Sequence, residues 1–307
     1  MSITETDDPI GPLEPALDEE TLGGDGSAPV GTWSAAMRMW RTRVGVVFVV
    51  ALVALAIIGP FVAPFGEQEF VATPNTRHVE GTMLGTDYFG QDVWSRFLFG
   101  GRSIIVLATL ATLLGLVGGA GVGLVAAYAR GAVDNALMRV MDLLLAFPQL
   151  LIALVALTMI GPKPWLIVVL VGTTTMPRIA RIVRGTAVEV VQRDFVSAAE
   201  ALGESRTRII TRELLPNVSG PLLVEANLRL TYSVGIIAGL GFLGFATSAN
   251  GADWGRMIQE NQGALSVQPW GVILPSLAIA LMTIGTGLMA DGLARAISGI
   301  DRGRANQ

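Results

Sequence analysis

The sequence predicts an all-α membrane protein, a polytopic helical bundle with six transmembrane helices. Three observations lead there. Of the 307 residues, 51% are hydrophobic and only 15% charged, against about 25% charged in an ordinary soluble domain. Mean hydropathy is +0.57. The apolar residues also gather in uncharged stretches long enough for a bilayer core about 30 Å thick, which about 20 helical residues cross.

Taken in order, residues 1–32 hold Glu5, Asp7, Asp8, Glu14, Asp18, Glu19, Glu20 and Asp25 and no base. This stretch sets the net charge of -4, and the remainder is basic. It is rich in Gly and Pro and cannot bury enough apolar surface to offset its ordering entropy, so a disordered acidic cytoplasmic tail is expected. Residues 33–84 carry the first span. Its uncharged run, 44–66, is longer than a secretory signal core, so it reads as an uncleaved anchor. A segment over 85–102 precedes a five-helix core over 103–297. The further uncharged stretches are 103–129, 143–162, 230–252 and 261–290, with a shorter one at 164–177. Residues 298–307 form a C-terminal tail.

The short stretch counts as a span because of the arginines. Arg178, Arg181, Arg184, Arg193, Arg206, Arg208 and Arg212 follow it, and short Arg-rich loops stay on the cytoplasmic side. If 164–183 crosses, with Arg178 and Arg181 snorkelling at its inner end, then Arg38, Arg41, Arg43, Arg130, Arg139, Arg295, Arg302 and Arg304 also fall inside. Both termini are then cytoplasmic. Gly115, Gly119 and Gly123 recur every fourth residue in the second span, giving one face where another helix can approach closely.

Several chemistries are excluded. With no cysteine and one histidine, His78, thiolate metal sites, disulfides, thiol nucleophiles and histidine clusters are ruled out, and no metal ligands are expected. No phosphate-cradling G-x-x-x-x-G-K-[ST] loop occurs, so no ATP or other cofactor is expected on this chain. Gly239, Gly241 and Gly244 spell GxGxxG inside a span with no preceding strand, which argues for helix packing. The span centres lack charge, and Asp142, Glu225, Arg229 and Asp291 sit near inner ends. Arg139 and Asp142 are spaced to pair on one helix. An intramembrane enzyme and an ion-coupled transporter both lose support, and a chain this passive needs a partner's drive.

Between the fourth and fifth spans, the loop over 186–220 reads as a short helix through Ser197, Ala198, Ala199 and Glu200, then Gly203, then a second helix stopped near Leu214, Leu215 and Pro216. This resembles the permease subunits of ATP-binding-cassette importers, whose signature runs Glu-Ala-Ala, three residues, Gly, about ten residues, then an apolar residue, Leu and Pro. Ser197 replaces the glutamate, and the resemblance implies that this is the ATPase-coupling loop. The run Gly85, Thr86, Asp87, Gly90, Asp92, Ser95, Arg96 and Arg102 resembles the second, C-type permease of the dipeptide, oligopeptide and nickel branch, with Gln91 where Arg is usual. The stretches at 138–148, 239–244 and 291–293 agree.

The resemblance implies a type I importer transmembrane domain in a prokaryotic inner or plasma membrane. It further implies a second permease, two ATPase subunits holding ATP and magnesium, and an extracytoplasmic solute-binding protein, with no nucleic acid. It leaves peptide and nickel open, and the lack of a metal-handling cluster favours peptide. By its residues alone, 85–102 is an amphipathic helix lying at the outer interface, either part of the face that receives the binding protein or a plain lid.

Overall fold

The computed structural model describes residues 29–246 and 251–298. The acidic stretch before Pro29 and the end of the C-terminal tail lie outside them. Helix α1 (Pro29–Arg38) starts inside the expected tail, and extended Met39 separates it from α2 (Trp40–Val62). Among the described residues there is no β-strand, only isolated bridges between Phe70 and Gln91 and between Thr86 and Asp92.

Four helices among them are long and apolar enough to cross a membrane: α2, α3 (Val93–Ala129), α6 (Pro164–Val191) and α12 (Trp270–Ser298). Helices α4 (Gly131–Ala146) and α5 (Gln149–Ile160) are bent by 76° and make a fifth if counted as one broken span. The bend has a covalent cause. Pro148 disfavours helical backbone at the residue before it, and Phe147 is extended at φ -98°, ψ 135°. The crossing expected over 230–252 falls on α10 (Ser219–Phe242), which starts earlier and stops sooner; it is long enough, but Glu225, Asn227 and Arg229 make its inner half too polar. The count of six is therefore not met on length and apolarity.

Two further boundaries move. Residues 93–102 are not a separate interfacial helix but the first turns of α3, with Asp92 as N-cap. The last span begins at Trp270 because a short helix, α11 (Trp254–Asn261), and a loop intervene.

Two apolar clusters hold the bundle. One, in its middle and outer part, gathers Phe97, Ile104 and Ala108 of α3 with Leu157, Ile167, Val171, Ile237, Trp254 and Met282. The other gathers Ala120, Leu124 and Ala127 of α3 with Ile179, Val183 and Val190 of α6 and the cytoplasmic loop. The glycine stripe seals α3 to α6. A Cβ on Gly119 would sit 2.7 Å from the Met176 carbonyl oxygen, and one on Gly123 would sit 2.6 Å from that of Ala180. A Cβ on Gly115 would sit 3.0 Å from the Gly172 carbonyl oxygen. Such approaches are open only to glycine, which is the packing role the spacing predicts. Gly241 likewise packs on α11, whereas Gly244 takes φ +89° just after α10 ends.

Candidate functional site

The outer motif folds into a cap. Gly85 and Gly90 adopt φ +79° and +75°, the left-handed region open to glycine, and turn the chain tightly against Thr76, Arg77 and Ala72. The Thr86 hydroxyl donates to Thr73 O at 2.7 Å and accepts from Thr76 N at 3.1 Å. One Asp87 carboxylate oxygen accepts from the Phe89 and Gln91 amides, both at 2.9 Å, and the other pairs with Arg96. Arg96 also reaches Glu260 at 2.9 Å, and Glu260 pairs with Arg256 one turn earlier on α11. Asp92 caps α3 by accepting from Ser95 N at 2.8 Å and Ser95 Oγ at 2.6 Å.

Arg96 is 2% exposed and Asp87 fully buried, so this charge network faces inward. An interfacial amphipathic helix would have sent Asp92 and Arg96 to water. Carboxylates from two other segments neutralise Arg96 instead, and apolar neighbours enclose the group. Of the outer motif only Arg102 is exposed among the charged side chains.

Helix α11 and its flanks went unread in the sequence, yet they complete the cap. Trp254 stacks on Phe97 with ring centroids 5.6 Å apart and donates Nε1–H to Phe97 O at 3.0 Å, over Gly100 and Gly101. Asn261 accepts from Tyr88 N at 3.0 Å, and Gln268 donates to Leu84 O at 2.7 Å. Asp253 caps α11 by accepting from the Gly255 and Arg256 amides at 3.0 and 3.2 Å. Burial pushes its carboxyl up to about 6, against those two donors. The available sequence signal was this capping Asp ahead of Arg256 and Glu260 at i,i+4 spacing.

At the end of the bundle opposite the cap, α7 (Asp194–Ala201) closes in a Schellman motif. Gly203 N donates to Glu200 O at 3.0 Å, Glu204 N donates to Ala199 O at 3.1 Å, and Gly203 has φ +77°. The helix–glycine–helix geometry read from the sequence is present. The second limb differs from expectation. Ser205 caps α8 (Arg206–Arg208), a π-helical turn covers Ile209–Leu214, and α9 (Leu215–Asn217) leads into α10. The coil is not stopped before Pro216, because the wider π register precedes the proline and Asn217 Nδ2 donates to Glu213 O at 2.7 Å.

Val196, Ile209 and Leu214 are buried against α3 and α6 and anchor the loop. Ser197, Ala198 and Glu200 are exposed, as is Gly203, while Ala199 and Leu215 are half-buried and Pro216 is exposed. Phe195 and Leu202 are also turned outward, Leu202 at 83% exposure. An apolar tip on a firmly anchored loop is a shape suited to entering another protein's groove.

Asp142 does not pair with Arg139. It lies 2.5 Å from Arg181 of α6, because the helix-to-helix packing brings that guanidinium closer than a neighbour on its own helix. Arg184 holds Asp134 with two bonds of 2.5 and 2.6 Å, and Arg229 holds Glu225 at 2.6 Å.

An all-helical bundle with several membrane-length helices, a folded cap at one end and an anchored loop at the other defines a multi-pass membrane protein. Residues 119–299 match the family described as the binding-protein-dependent transport system inner membrane component, and the chain belongs to that family. It is 31% identical over 260 residues to the di/tripeptide transport system permease protein of Pseudomonas aeruginosa, covering 82% of this chain and 86% of that one. It is 30% identical to the glutathione transport system permease protein of Pectobacterium atrosepticum over 271 residues, 86% and 89% of the two chains. Among solved structures, a chain of the MetNI methionine ABC transporter in inward-facing conformations matches with a TM-score of 0.51 at 16% identity, covering 67% of this chain and 96% of that one, a likeness of fold.

Proposed function

We propose that this chain is a permease subunit of an ATP-driven importer, forming with a second permease the pathway for peptides delivered by an extracytoplasmic solute-binding protein. The observation that carries the reading is the cytoplasmic loop, whose buried Val196, Ile209 and Leu214 fix it to α3 and α6 while Phe195 and Leu202 stand outward. Two partner ATPases dock there and hold ATP and magnesium. Closure of the ATPase pair draws the two permeases' loops together and tilts the bundles as rigid bodies. The outer cap, stiffened by the Asp87–Arg96–Glu260 pairs, presents a fixed surface to the loaded binding protein. The relatives named for di/tripeptide and glutathione transport support peptide over nickel as the cargo.

The bent pair α4–α5 and the polar-ended α10 complete six crossings, with both termini cytoplasmic. The arginine asymmetry supports this orientation. In intact cells, cysteine placed at Lys163 reacts with an impermeant thiol reagent and cysteine at Arg206 does not; labelling at Arg206 refutes the orientation. The function is tested by co-purifying the chain with its co-expressed partners and measuring ATP-dependent peptide uptake in proteoliposomes. Uptake requires the ATPases, and the isolated chain binds no nucleotide.

A further inference from the structure

Helix α6 carries Arg178, Arg181 and Arg184 at every third residue. Two of the three are matched to carboxylates of α4, Arg181 to Asp142 and Arg184 to Asp134. Arg178 has no carboxylate partner among the described residues. Its guanidinium lies instead 5.4 Å from the ring centre of Tyr232, where Arg229 approaches at 5.8 Å. Glu225 is engaged by Arg229 at 2.6 Å, so the group keeps one uncompensated positive charge.

The position of this charge matters. α6 continues to Val191, so Arg178 does not sit at its inner end as the sequence suggested. At 1.5 Å per residue, Arg178 lies about 20 Å from the outer end of α6, and Arg229 about 20 Å from the outer end of α10, within a bilayer core about 30 Å thick. Arg178 and Tyr232 are both exposed. An exposed charge at that depth does not face lipid; it faces water or a partner.

We propose that Arg178, with Arg229 across the Tyr232 ring, forms a carboxylate-binding site in the inner half of the translocation pathway, where it takes the carboxylate terminus of a passing peptide. The proposal rests on the peptide-importer reading above. The arginine ladder on α6 is completed internally at two rungs, and the third is left for the cargo. A planar guanidinium backed by an aromatic ring is well suited to a carboxylate, and its exposure lets the cargo leave again.

The chain has no cysteine, so Arg178→Cys offers a unique thiol in the assembled complex, given partners freed of their own. In proteoliposomes with the ATPases and binding protein, uptake of a labelled tripeptide falls about tenfold or more on loss of a charged hydrogen bond. Modification with a positively charged methanethiosulfonate restores uptake several-fold, a negatively charged reagent does not, and Arg178→Lys retains part of it. ATPase co-purification and melting temperature stay at wild-type values. Wild-type uptake in the unmodified Arg178→Cys complex overturns the proposal. So does a thiol that neither reagent reaches in that complex, which would mean Arg178 is sealed against the second permease. A wild-type complex that takes up no peptide overturns the peptide reading instead.

Discussion

The outer cap and the cytoplasmic loop are both built from short polar motifs, yet they point in opposite directions. In the cap, Thr86, Asp87, Asp92, Ser95 and Arg96 are buried and bonded within the cap and to α11, although Asp92 Oδ1 and Arg96 Nε find no partner. In the loop, Ser197, Ala198, Glu200 and Leu202 are exposed, and the anchoring falls to the apolar residues between them. A run of charged and hydroxyl residues is therefore no guide to what contacts a partner. The cap's motif makes a shape, and the loop's motif presents one. Substitutions in the cap act first on stability, and substitutions in the loop act first on assembly.

The largest effect is expected from Arg96→Ala, which leaves Asp87 buried without its counter-charge and Glu260 with Arg256 alone. Breaking one side of a buried pair costs about 3–5 kcal/mol, so the purified subunit should melt much earlier or fail to accumulate. Unchanged thermal unfolding of Arg96→Ala would erase the contrast. Next comes Asp253, whose carboxyl burial raises from 3.8 to about 6. A raised carboxylate favours the folded state below pH 3.8 and loses that contribution as pH rises through about 6. The wild type should thus lose up to about 3 kcal/mol between pH 4 and 7 relative to Asp253→Asn. Parallel melting curves for the two proteins across that range would contradict it.

Gly203→Val follows. At φ +77° a β-branched residue is strained by about 1–3 kcal/mol, although no neighbour lies within 4 Å of its Cβ position. The subunit should reach the membrane and pair with its permease partner, yet retain the ATPases poorly and lose uptake. Full ATPase retention with normal uptake would show that the loop does not couple. Smallest is Glu204→Ala, which removes a 3.0 Å exposed pair with Arg208, worth about 0.3–0.5 kcal/mol. Uptake should stay within error of wild type.

What the sequence made legible follows from how local each signal is. Gly203 and its flanking helices, the glycine stripe of α3 and the all-helical class depend on nearest-neighbour chemistry, and they are where the residues say. The cap's sequence reads as an interfacial helix because Arg96 is neutralised in part by Glu260, 164 residues away, a pairing no local pattern reveals. The local spacing pairs Asp142 with Arg139 for the same reason, since its partner Arg181 lies across a helix interface. The expected six crossings blurred where Pro148 breaks one span and where Glu225 and Arg229 make another's inner half polar.

Helix α3 runs unbroken from the Asp92 cap to Ala129, and both ends are clamped: Phe97 under Trp254 on the outside, Leu124 and Ala127 against Val196 and Ile209 within. At 1.5 Å per residue it is a pushrod about 55 Å long. Its glycine seam packs it directly on the backbone of α6. Under the proposed rigid-body tilt, a rotation of about 5° at the loop end of a rod this long would correspond to a displacement of about 5 Å at the cap end. On that proposal the length of a single helix supplies the leverage between the two ends.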